Sequence, residues 1–173
     1  MNRGRFVILY VLFVVVQIVS DVYLDFWPPL TLALLPALLL CLRIETGPLA
    51  VMAVAFATGF AVDFLGDGML GLTCLSLLPV AILRRPIISL VFGSEVFARG
   101  ENISARRQGP AKMLLAIAIS TALYLIIYVV ADGAGTRPGW FNVCKIAVSL
   151  AFSTLASYFI CALLTSESDR RWR

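Results

Sequence analysis

Histidine is absent from the 173 residues, and charged residues occupy only 14% of positions. Without imidazole there is no Ser-His-Asp or Cys-His nucleophile pair, no histidine-bound metal and no histidine proton relay. So little charge excludes a disordered chain and a coiled coil, because even soluble domains carry about 25% charged residues. Close cysteine pairs are missing as well. Cys41, Cys74, Cys144 and Cys161 stand apart inside apolar runs with no C-x-x-C spacing. A thiol there reads as a small apolar residue rather than part of a metal site or disulfide framework. No G-x-S-x-G, P-loop or H-E-x-x-H motif occurs.

What is abundant is apolar surface: 61% hydrophobic residues and a mean hydropathy of +0.95. The runs are helix-length, not the ten-residue alternating segments of an outer-membrane barrel. A spanning helix needs about 20 mostly apolar residues. Runs that approach this cover 6–23, 29–42, 48–65, 69–83, 113–131 and 140–164. The first follows Asn2-Arg3-Gly4-Arg5 and has no small-residue cleavage site after it, so it reads as an uncleaved span. Pro28-Pro29, the Arg43–Gly47 turn before Pro48, the glycine-flanked Asp67 and the 132–139 loop punctuate the rest. The fourth run, ended by Arg84-Arg85-Pro86, is only about 22 Å long as a helix. It is expected to rely on snorkelling arginines or local bilayer thinning. Residues 84–112 read as a cytoplasmic loop. Its Ile87–Phe97 stretch is either a helix along the membrane surface or a bent continuation of the fourth helix.

The expected fold is therefore an all-α integral membrane protein: one domain over 1–173, a compact bundle of six transmembrane helices. Basic residues set the orientation. With six spans, twelve of the fourteen lysines and arginines lie on the side of the termini, which is then cytoplasmic. Arg137 and Lys145 lie opposite, with Asp21, Asp25, Asp63, Asp67 and Asp132. The net charge of +4 reflects this asymmetry and the anionic headgroups of a lipid bilayer. Nucleic acid is not implied, because the basic residues are spread over four short segments. Tyr23, Phe26 and Trp27, and later Trp140 and Phe141, mark the outer interface.

Polar groups at membrane depth are few: Gln17, Asp63 and Lys145, with several Ser and Thr. Asp63 and Lys145 both fall near the outer ends of their runs, so each either reaches headgroup water, pairs with the other, or makes a functional contact. One buried carboxylate does not make an aspartyl protease pair. Neither midplane charge nor broken helices within repeats, as in ion-driven transporters, is evident. No catalytic residue, metal site or cofactor is expected. The spans instead carry stripes of small residues. Ala55, Gly59 and Asp63 recur every four residues, as do Lys145, Ser149, Ser153, Ser157 and Cys161. Small side chains let helix backbones approach and hydroxyls bond across the contact, within the bundle or with a partner helix.

Residues 59–71 read Gly-Phe-Ala-Val-Asp-Phe-Leu-Gly-Asp-Gly-Met-Leu-Gly, or G-x-x-x-D-x(6)-L-G through Gly59, Asp63, Leu70 and Gly71. This pattern resembles the rod shape-determining protein MreD family. The chain length, six expected spans, early proline break and basic loop after the fourth span are also similar to that family. The resemblance implies a non-enzymatic inner-membrane subunit of the bacterial cell-elongation machinery. It implies a bitopic MreC-like partner and, through it, a peptidoglycan transpeptidase, a glycosyltransferase and the actin-like MreB. The alternative is the substrate-binding membrane subunit of an energy-coupling-factor vitamin transporter, also small and six-spanned. That class typically carries an A-x-x-x-A motif on the first span, and Phe6–Ser20 contains no alanine.

Overall fold

The computed structural model describes residues 3–24, 31–42, 46–66, 69–93, 109–133 and 139–169. Six helices are present among them: α1 (Arg3–Leu24), α2 (Leu35–Leu40), α3 (Pro48–Leu65), α4 (Leu72–Phe92), α5 (Pro110–Gly133) and α6 (Gly139–Asp169). In hydrocarbon a helix meets all its own backbone hydrogen bonds, which is why long apolar runs take this form. Pro48 opens α3 at a position where its missing N–H is no loss. Four helices are long and apolar enough to cross a membrane, over Pro48–Leu65, Leu72–Phe92, Pro110–Asp132 and Trp140–Cys161. Helix α1 contributes the apolar stretch Val7–Val22 among the described residues.

Because nearly every face is apolar, size and polarity decide which face turns inward. On α3 the small Ala55 and Gly59, with Val51, Val62 and Asp63, are buried. Phe56, Phe60 and Phe64 line the outer face and stack at 6.2 and 6.1 Å. Helix α3 packs on α4, α4 on α5 and α5 on α6, while α1 lies against α2 and α3. Every residue of α2 is buried. Leu35, Leu38 and Leu39 meet Val14, Val51, Leu77, Val80 and Leu125. On the other side Ala37 and Leu40 meet Ile88, Met113, Ile117 and Cys161.

Two expected spans come out differently. Among the described residues of the 29–42 run, 31–42, the one helix is the six-residue α2, about 9 Å long, preceded by irregular backbone over 31–34. It is a buried plug, not a full spanning helix. The reason is its surroundings: α1 and α6 offer side chains that satisfy unwound backbone, so it need not be helical. The fourth helix does not stop at Leu83 but continues through Pro86 to Phe92. Its 21 residues rise about 31 Å, enough for a full hydrocarbon core without thinning. Residues 87–92 are therefore a continuation of α4, and not part of an 84–112 loop. The expectations for Phe26 and Trp27, Pro28-Pro29, Arg43, Asp67-Gly68, residues 94–108, Arg137 and the last four residues lie outside the described residues.

Candidate functional site

Three polar arrangements lie among the buried helices. The first is the α3–α4 hairpin, where the 59–71 pattern falls. Asp63 is 4% exposed. Its carboxylate accepts the backbone N–H groups of Gly71 at 3.0 Å, Thr73 at 3.1 Å and Cys74 at 3.3 Å. The first N–H groups of a helix have no partner within it, and its N-terminus favours negative charge. Asp63 thus caps α4 from the neighbouring helix, while Gly71 at the cap position makes no side-chain cap. Gly71 has φ of +93°, which an L side chain adopts only at a cost. Gly59 serves closeness: a Cβ there would come within 2.9 Å of the Cys74 Cα and 3.0 Å of its N. Leu70, expected among the packing residues, is 71% exposed. It lies in the turn rather than on a helix face and is not packed among the described residues.

Of the readings open for Asp63 and Lys145, mutual pairing does not form among the described residues. Three N–H groups already occupy the Asp63 carboxylate. The Lys145 ammonium, though buried, reaches Asp132 of α5 at 3.5 Å. The antiparallel α5–α6 packing brings Asp132 and Lys145 to the same end of the bundle.

The second arrangement surrounds the irregular 31–34 backbone. Gln17 of α1 donates to the Leu32 carbonyl at 2.6 Å and to Asp21 at 2.8 Å, and its Oε1 accepts the Leu34 N–H at 2.8 Å. From α6, the Ser149 Oγ accepts the Thr31 N–H at 3.0 Å, and the Ser153 Oγ accepts the Ala33 N–H at 2.9 Å. Buried backbone groups need such partners, and in membranes unwound segments persist only where protein supplies them. Ser149, Ser153 and Ser157 are all fully buried. Ser157 Oγ, however, has no hydrogen-bond partner among the described residues. The stripe is thus polar satisfaction at two positions and close packing at the third.

The third arrangement closes the other end of α2. Arg84 is 2% exposed, although the sequence counts it with a cytoplasmic loop. Its Nη2 donates to the carbonyls of Leu40, at 3.4 Å, and Leu42. Leu40 ends α2 and Leu42 lies two residues beyond it, where the helix offers these carbonyls no donor. The thiols of Cys41 and Cys161, 120 residues apart, meet beside it. Sequence reasoning marks Gln17 only as polar at depth and reads Arg84 only as a snorkelling residue at the end of the fourth run. The signal for Arg84 was the helix-compatible continuation Ile87–Phe92 after it, which makes a terminal arginine an internal one.

Among the described residues no group of three or more Cys, Asp or Glu gathers to hold a metal ion. These arrangements can position helices against one another. Compared with known proteins, the chain matches no family model, no curated protein and no solved structure.

Proposed function

We propose that the chain is a non-enzymatic, multi-pass subunit of the bacterial cell-elongation machinery in the cytoplasmic membrane, of the MreD kind. It holds a bitopic MreC-like protein and, through that protein, the transpeptidase and glycosyltransferase of peptidoglycan synthesis. The observation that carries this reading is the α3–α4 hairpin. Three of the four residues behind the family resemblance, Gly59, Asp63 and Gly71, have a defined role in building it. The engagement of buried polar groups with backbone also favours a scaffold, whose work is to present helix surfaces. In the proposed topology the chain crosses the membrane six times with both termini in the cytoplasm.

One observation favours the second reading, a vitamin-transporter membrane subunit. The unwound 31–34 segment buried between α1 and α6 is the kind of broken helix from which transporters build binding sites. Depletion in the source cell separates the two. The elongation reading expects rounded, widened cells that added vitamins do not rescue, and co-purification of a bitopic partner and a cell-wall synthase in mild detergent. Rescue by a vitamin, or co-purification of an ATPase module, overturns it in favour of transport.

A further inference from the structure

Between α4 and α5 lies an apolar groove of about 440 Å³, open to the outside of the bundle. Leu83, Pro86 and Leu90 form one wall, and Ile119, Ala122 and Ile126 the other. Both helices are of spanning length, so the groove opens onto hydrocarbon. Its volume is in the range of small-molecule sites, about 300–1,000 Å³.

The wall decides what fits. Helix docking in membranes favours small residues that let backbones approach. Here every lining residue except Ala122 is Leu, Ile or Pro. A helix about 10 Å across would ride on these side chains, whereas a single hydrocarbon chain fits between them. At the end where α5 begins, charge adds a second condition. Lys112 is exposed. It stands seven residues before Ile119 and fourteen before Ile126, which places it on the groove-facing side of α5. It lies about 10 Å along the axis from Ile119, and no acidic residue occupies the first turn of α5.

We propose that the α4–α5 groove is a lipid site: it takes one acyl chain of an anionic phospholipid, whose headgroup phosphate rests on Lys112. The site does not rest on the cell-elongation reading, because it requires only that α4 and α5 span the bilayer. A basic side chain at the surface favours an anionic lipid by an amount equivalent to about fivefold in binding.

The test uses the purified full chain in mild detergent, offered equal amounts of phosphatidylglycerol and phosphatidylcholine and read by native mass spectrometry. The wild type should retain phosphatidylglycerol about fivefold over phosphatidylcholine. Lys112→Gln should bring that ratio close to one, and Ala122→Trp should remove the retained lipid by filling the groove. An independent arm needs no groove mutation: a photo-crosslinking residue at Leu90, 78% exposed, should capture phospholipid in cells. Equal retention of both lipids by the wild type, an undiminished preference in Lys112→Gln, or a Leu90 cross-link to polypeptide with no lipid would each overturn the site.

Discussion

At the scale of single residues, Asp63 changes meaning once its partners are known. A lone carboxylate near a span end invites a search for a cation, yet its partners are three backbone N–H groups. Asn at this position keeps one acceptor oxygen and turns an amide toward the remaining donors. Asp63→Asn should therefore lower stability by about 1–3 kcal/mol, read as a lowered thermal midpoint of the isolated protein. Unchanged melting would contradict the cap. Gly59→Val should cost a similar amount, about 1–3 kcal/mol, because the crowding atoms are Cys74 backbone and cannot swing away. Lys145 gives a sharper comparison. A double-mutant cycle of Asp132→Asn with Lys145→Gln should return a coupling of about 0.5–1 kcal/mol. The same cycle with Asp63→Asn should return none, since Asp63 and Lys145 have different partners.

At the scale of elements, α2 is the part that depends most on its neighbours. Six residues cannot form a stable helix alone, and the backbone before them is irregular. Three side chains from two other helices hold that backbone: Gln17, Ser149 and Ser153. Ser153→Ala strands the buried Ala33 N–H and should cost about 1–3 kcal/mol. Ser157→Ala, four residues along the same stripe, removes a buried hydroxyl with no partner among the described residues and should be neutral or mildly stabilising. Thermal unfolding of the two variants side by side checks this. Equal losses would mean that the stripe acts only through packing. The i+4 spacing makes the serines neighbours on one face, but does not say which of them meets a backbone donor.

At the scale of the whole molecule, the distribution of charge supports the proposed six-crossing topology. In a chain freed of its four native cysteines, single cysteines at Arg3, Gly100 and Ser168 should resist an impermeant thiol reagent in intact cells. One at Gly135 should react. Labelling at Gly100 in unlysed cells would sink the six-crossing arrangement. Burial of Arg84 removes one basic residue from the side of the termini in the proposed arrangement, yet eleven of fourteen remain there. The asymmetry therefore does not hinge on it.

Apolar run length by itself determined that the chain is helical and membrane-embedded, because hydrocarbon leaves the backbone few other ways to satisfy itself; it marked six runs, and the structure shows four helices long and apolar enough to cross among the described residues. The spacing of Gly59, Asp63 and Gly71 was legible as a unit, because close approach, capping and a left-handed turn are local demands within one hairpin. Only the tertiary structure decided that the 29–42 run is a buried plug, that Arg84 turns inward, and that Asp63 and Lys145 part company. Each of these depends on groups far apart in sequence: Ser149 and Ser153 for the plug, Leu40 and Leu42 for Arg84. Hydropathy records how apolar a segment is. It does not record which distant donor or acceptor will stand beside each polar atom, and inside a bundle that neighbour determines whether a polar group is tolerated.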